Sequence, residues 1–256
     1  MGCTDLRDWS LSVKEIEGME METETQTTPT VLKAEPRIAV VGIGGAGCNV
    51  INDVYWADGS LYTIAINTDK QSLRQTRYDK RVCLCKDVTK GEGAKGDALL
   101  GKRCAEAHKK DIMDAIADFD TVILVAGMGG GTGTGVAPVV ANIARSLNKI
   151  TIMIAIRPFS FETQRAKVAG KGIAKLSSIC PMTVVIDNDR VAKVLPDSTL
   201  NDAFRTVNGS IVRFIAEQKK KLSDAMNEQV KNIGGLMEEG GERHSLSAYV
   251  SDSTPA

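Results

Sequence analysis

Histidine is almost missing from this chain, with 2 in 256 residues. His108 sits in the polar run EAHKKD and His244 in a polar stretch further on. Both read as solvated, and catalysis built on a histidine base is excluded. None of the six cysteines (Cys3, Cys48, Cys83, Cys85, Cys104, Cys180) forms a CxxC pair. That removes the usual zinc sites and predicts reduced structural thiols in a cytoplasmic protein. Cys83 and Cys85, in RVCLC, are expected on one face of a strand. No run reaches the roughly eighteen apolar residues of a membrane span, and the start shows no secretory apolar region. MGCTDL half-resembles a myristoylation signal, yet Leu6 stands where Ser or Thr is expected.

Net charge is absent too, since 32 bases balance 32 acids. The balance is made of unequal parts. Residues 1–35 carry eight acids against three bases, residues 238–256 four against one, and residues 36–237 hold 28 bases against 20 acids. A basic core between acidic ends suits an anionic ligand or surface. The 43% apolar and 25% charged content is that of one ordinary globular domain with tails.

Residues 1–35 read as a disordered acidic arm, with a short amphipathic helix through Trp9, Val13 and Ile16. From Arg37 an alternation begins. RIAVVG, YTIAIN, RVCLC, TVILVAG, KITIMIAIR and PMTVVID are strand-like, and helices are expected near 45–57, 97–118, 135–147 and 162–177. Strands apolar throughout, separated by helices, predict an α/β fold: a Rossmann-like, mainly parallel sheet covered on both faces. One long helix over about 201–233 follows, carried by Phe204, Val207, Ile211, Ile215, Leu222, Met226 and Val230 and broken at Gly234–Gly235. The folded domain is thus 36–235, and 236–256 is a polar tail.

The chemistry lies in glycine loops that follow strands. VVGIGGAGCN meets G-x-G-x-x-G at Gly42, Gly44 and Gly47, a weak signal alone. A dinucleotide reading would want an acid after the second strand, and Asp69 stands there. GMGGGTGTG, Gly127–Gly135, has six glycines in nine positions between a strand and a helix start. Its bare amides can wrap phosphate oxygens, with Thr132 and Thr134 adding hydroxyls. A nicotinamide fold has one such loop, whereas two facing loops imply a polyphosphate gripped from both sides. Neither carries the Gly-Lys-Ser/Thr of a Walker A loop. A third loop, TKGEGAKGDA (Thr89–Ala98), adds Lys90 and Lys95.

These segments resemble the tubulin/FtsZ superfamily, and FtsZ in particular, from about Arg37 to Asn208. The resemblance rests on GGAGCNVIN, AINTD, GEGAKGD, AGMGGGTGTGVAPVVANIA, RPFSFE and DND. It implies GTP or GDP as ligand, with Mg2+ as a candidate companion. It implies that Gly44, Gly45, Ala46, Gly47, Cys48 and Asn49 hold the α- and β-phosphates, with Asn67 and Asp69 in the same nucleotide-binding set. Gly129, Gly130, Gly131, Thr132, Gly133 and Thr134 would hold the β- and γ-phosphates, and Gly93, Ala94 and Lys95 would sense the γ-phosphate. Glu162 would bind the ribose, Phe204 would stack on the base, and Asn188 and Asn208 would read the guanine edge.

The chain departs from the FtsZ pattern in three places. The arginine expected four residues after Glu162 is Ala166, between Arg165 and Lys167. The aspartate expected after Asn208 is Gly209. EQVKNIGGLMEEGG lacks the N-x-D-x-x-D that positions the attacking water, and the FtsZ C-terminal domain does not follow. Catalytic residues are therefore unassigned; Asp224, Glu228, Glu238 and Glu239 are the available acids. The expected function is nucleotide-dependent self-association, as an oligomer or filament, in cell division or membrane remodelling, with weak or partner-dependent hydrolysis. The further expected partner is a membrane surface or membrane adaptor, and no nucleic acid. An active filament-forming GTPase using a non-standard acid is the alternative, and a dinucleotide oxidoreductase the remote one.

Overall fold

A computed structural model describes residues 35–194 and 199–241. The arm before residue 35, with its expected helix, and the tail beyond 241 lie outside the described residues. Six strands form one parallel sheet: β1 (Ile38–Ile43), β2 (Tyr62–Asn67), β3 (Lys80–Cys83), β4 (Thr121–Gly127), β5 (Ile150–Arg157) and β6 (Thr183–Asp187). Their order is β3-β2-β1-β4-β5-β6, so the chain reverses its direction of travel across the sheet between β1 and β4. The helices are α1 (Gly44–Ala57), α2 (Lys70–Gln75), α3 (Lys86–Thr89), α4 (Ala98–Ala107), α5 (Lys109–Ile116), α6 (Gly131–Ser146), α7 (Thr163–Ile179), α8 (Asn188–Val194) and α9 (Leu200–Gly241).

Apolar residues on both sides of each strand feed two cores. In β1 and β4, Ala39, Val41, Val122 and Leu124 join a layer with α4 to α7, while Val40, Ile123 and Val125 join one with α1 and α9. Burying both faces of the central strands is why they show no polar alternation.

Local outcomes differ from the expectations in several places. The helix expected over 97–118 is two, meeting at His108, whose N–H returns to the Cys104 carbonyl. His108 is not a solvated bystander. Its Nε2 accepts the Cys85 N–H at 3.0 Å and its Nδ1 lies 2.8 Å from Asp111 Oδ2. Cys83 and Cys85 do not share a strand face. The strand ends at Cys83, Cys85 turns left-handed at φ 47°, and the two thiols enter opposite cores. Finally, α9 is helical through Gly234–Gly235 to Gly241. Two mid-helix glycines cost only about 1 kcal/mol each and do not by themselves stop a helix.

The start of α6 also precedes its expected position. Gly131–Gly135 form the first helical turn, despite the low propensity of GTGT, because Gly131 and Gly135 let α4 approach. A methyl group at Gly131 would stand 2.9 Å from the Ala94 Cβ, and one at Gly135 would strike the Ala98 carbonyl.

Candidate functional site

The carboxyl ends of β1 and β4, on either side of the reversal, each run into a glycine turn and a helix. In parallel sheets that crevice is where ligands sit. Most helices need something to satisfy their first N–H groups. Asp69 does so for α2, accepting from Gln71 and Ser72, and Asp97 for α4, accepting from Leu99 and Leu100. The starts of α1 and α6 have neither a capping side chain nor an acid in the first turn. Their free amides and helix dipoles converge on one place and favour an anion there.

The two starts fit together only because they lack side chains. Gly44 takes φ +72° with its α-carbon side facing the Gly133 nitrogen, and a methyl group at Gly47 would overlap the Val125 carbonyl oxygen. Gly129, at φ +97°, lies against the backbone of Arg165 and donates its N–H to Thr134 Oγ1 at 2.8 Å. Thr132 Oγ1 meets Thr68 Oγ1 at 2.7 Å, which ties α6 to the end of β2.

Beside these starts opens a cavity of about 590 Å³, within the range of small-molecule sites. Of the residues expected at the site, Gly45, Ala46, Asn49, Glu162, Asn188, Phe204 and Asn208 line it. Gly44, Gly47 and Cys48 form the buried side of the first α1 turn. Burial pushes the Cys48 thiol up to about 12, against hydrogen bonds from Asn67 and Thr76, so it is no nucleophile. Gly129, Gly130, Gly131, Thr132, Gly133 and Thr134 lead into and open α6 but do not line the cavity, which reaches this loop at Gly127 and Met128. Asn67 is buried and points its amide at Cys48 and Ser72. Asp69 caps α2 through Oδ1, which accepts the N–H groups of Gln71 and Ser72. Gly93 lies beside Asp69, Ala94 is buried against Gly131, and Lys95 pairs with Glu92 at the surface, 2.5 Å apart.

The other end of the cavity is set by polar side chains and an aromatic. Asn188, at the start of α8, is 4% exposed, and its Oδ1 finds no partner among the described residues. A buried amide oxygen left unpaired is costly unless a ligand donates to it. Asn208 gives its Nδ2 to Asp53 at 3.0 Å. Phe204 is 45% exposed, resting edge-on against Phe159 at 5.6 Å, which itself stacks on Phe161. Glu162 accepts the Phe159 N–H at 3.2 Å and pairs with Arg165 Nη1 at 2.5 Å.

Arg165, one of the two basic residues flanking Ala166 that could substitute for the missing arginine, lines the cavity, as do Asn201 and Arg205, which were not assigned to it. Arg165 occupies the ground left by Ala166. Asn201, Phe204, Arg205 and Asn208 make one helical stripe, a spacing that could have revealed them. Two guanidiniums against one carboxylate leave the cavity net positive.

A family model described as the tubulin/FtsZ family GTPase domain matches residues 37–196. The chain belongs to the tubulin/FtsZ family. Among curated relatives, it is 37% identical over 81% of its length to cell division protein FtsZ 2 of Methanocaldococcus jannaschii, covering 55% of that protein. It is 36% identical over 92% of its length to FtsZ 2 of Haloferax volcanii, covering 61%. A solved FtsZ dimer from M. jannaschii superposes with TM-score 0.70 at 34% identity, covering 74% of this chain and 56% of that one. CetZ2 of H. volcanii, at TM-score 0.65 and 23% identity over 72% of this chain and 58% of its own, shares the fold. The chain therefore spans somewhat over half the length of the FtsZ proteins it matches.

Proposed function

We propose that this tubulin/FtsZ-family chain binds GTP and GDP and self-associates according to which is bound, in a cell-division or cytoskeletal role. The observation that carries the reading is the pair of uncapped helix starts, α1 and α6, converging beside one cavity. A lone phosphate needs one such start, and a polyphosphate can use two. The amides of Gly45, Ala46 and Asn49 would take one side of it, and those of Gly130 to Thr132 the other. Arg165 would neutralise part of its charge from beside Gly130. At the far end the orphaned Asn188 Oδ1 suits the ring N–H and amino donors of guanine, where adenine would present an acceptor at the ring nitrogen. Phe204 offers a face for the base and Glu162 an acceptor for ribose hydroxyls.

No group of three His, Cys, Asp or Glu among the described residues could hold a metal. Mg2+ would accordingly enter with the phosphates, as it commonly does. Hydrolysis is weak or needs a partner, because N-x-D-x-x-D is missing from the stretch 227–241 and water positioning is central to phosphoryl transfer. A second copy is the partner supported by the M. jannaschii FtsZ dimer. Anionic membrane, reached directly or through an adaptor, is a further partner favoured by the basic excess in 36–237. No helix among the described residues is long and apolar enough to cross a membrane.

Thermal unfolding with GTP, GDP, ATP and NADH tests the ligand. A micromolar ligand at millimolar concentration adds about 4 kcal/mol. GTP and GDP are expected to raise Tm by several degrees and ATP and NADH much less; equal shifts from all four would refute the guanine reading.

A further inference from the structure

Two amides, Asn188 and Asn208, line the polar end of the cavity, and an amide by itself does not choose what it reads. Turned one way it offers an oxygen that accepts, turned the other an NH2 that donates, and the two select opposite base edges. For Asn208 the choice is made from outside the cavity. Asp53, one turn beyond the cavity-lining Asn49 on α1, accepts from Asn208 Nδ2 at 3.0 Å. A carboxylate can only accept, so the NH2 arm must face it and the oxygen arm is turned off it. Among the described residues no donor reaches that Oδ1. Gly209, next along α9, brings no side chain that could do the reading instead.

The seam between α1 and α9 holds this contact in place. Ile51 and Val54 of α1 are buried in one core with Val207 and Ile211 of α9. About three turns further along α9, Lys219 reaches Asp58 at 2.9 Å. Asn208 follows directly on buried Val207, which keeps its backbone against α1. Asp53 does not itself line the cavity, so anything it does for a ligand passes through the Asn208 amide.

We propose that Asp53 is a positioning residue for base selection: by holding the Asn208 amide with its oxygen toward the cavity, it makes the site select a purine that carries a 2-amino group. The inference rests on the guanine-nucleotide reading given above. The oxygens of Asn188 and Asn208 are then two acceptors for two adjacent donors of guanine, the ring N–H and the 2-amino group. Hypoxanthine keeps the ring N–H and lacks the amino group, so it leaves one acceptor unpaired. A site built to hydrogen-bond a group rejects the analogue that lacks it. Released from Asp53, the amide is free to turn, guanine loses its second partner, and hypoxanthine loses nothing. A carboxylate that merely tied α1 to α9 would weaken both nucleotides alike.

Calorimetric titration of the whole chain with GTP and with ITP, which carries hypoxanthine in place of guanine, tests the assignment. The parent should bind GTP about tenfold more tightly than ITP, the scale of one hydrogen bond. D53A should bind GTP about fivefold more weakly and ITP within about twofold of the parent, so that the ratio falls to about two. Asp53 is exposed, and circular dichroism checks that the variant is folded. D58N, which loosens the same seam away from the amide, should lower Tm and keep the tenfold ratio. A D53A protein that keeps the ratio, or that loses GTP and ITP in equal measure, overturns the positioning role, as does a D58N protein that loses the ratio. A parent that binds GTP and ITP equally leaves the 2-amino group unread, which overturns this inference and lets nucleotide binding stand. A parent that binds neither overturns the functional reading, and the inference with it.

Discussion

Gly45 and Gly47 stand two positions apart in the first turn of α1 and face opposite constraints. A methyl group at Gly45 would meet nothing within 4 Å, while one at Gly47 would drive into the Val125 carbonyl, and backbone cannot step aside. Gly47→Ala should therefore cost roughly 1–3 kcal/mol or more in urea denaturation. Gly45→Ala should leave stability unchanged or slightly raised, yet weaken GTP binding, because Gly45 lines the cavity. A Gly45→Ala protein that binds GTP normally would place the phosphates elsewhere. Asn188 separates the same two effects. Its Oδ1 serves no protein donor, so Asn188→Ala should barely move Tm while raising the Kd for GTP about 10-fold or more, the worth of roughly 1–3 kcal/mol of hydrogen bonding. The order and spacing of glycines made the two glycine turns at the starts of α1 and α6 legible in the sequence. The difference between Gly45 and Gly47 was not, because it depends on which neighbour lies behind each α-carbon.

The long helix α9 divides by what covers it. Val207, Ile211 and Ile215 are buried against α1 and the sheet, and Ala203 is buried one turn earlier. Lys219 then reaches Asp58 at 2.9 Å, together with Ser60, at the end of α1. Ile211→Ala should cost about 2–4 kcal/mol, the usual loss for a core isoleucine. Met226→Ala, on the half-buried stretch beyond Lys219, should change stability by no more than about 0.5 kcal/mol. The anchor itself is pH-dependent. Burial raises the Asp58 carboxyl, but hydrogen bonds from Ser60 and Lys219 outweigh that and leave it below its usual range. A carboxylate depressed in the fold contributes stability above its unfolded pKa near 4 and loses it as pH falls through the folded value. Asp58→Asn should hence cost about 0.5–1 kcal/mol at pH 7, the scale of a partly exposed pair, with the difference from the parent vanishing once the pH falls below the depressed folded value. A difference that persisted in acid would point to packing instead. Periodicity announced the apolar stripe from Phe204 to Val230, but could not tell which part of it the domain covers. Nor could it foresee α6 starting at Gly131, where close packing on α4 overrides weak propensity.

For the molecule as a whole, six apolar strands in alternation with helices were enough to reach a parallel sheet covered on both faces. Whether one chain suffices for chemistry is a different question, and it turns on what faces the cavity's open side. Phe204 is half exposed there, and Phe161, stacked on Phe159 close by, is 66% exposed. Such apolar surface at a charged rim is the kind that a second protein surface covers. Sedimentation velocity in GTP should accordingly show a concentration-dependent larger species, reduced or absent in GDP. Phosphate release should remain slow per chain across the same range of concentrations, because association brings no acid of the missing N-x-D-x-x-D into the site. The opposite outcome is equally readable. If release climbs steeply with protein concentration and falls when Glu238 and Glu239 are changed to alanine, those acids supply the water-positioning role from the neighbouring copy. The chain would then be a filament-type GTPase whose catalytic acid has moved along the helix.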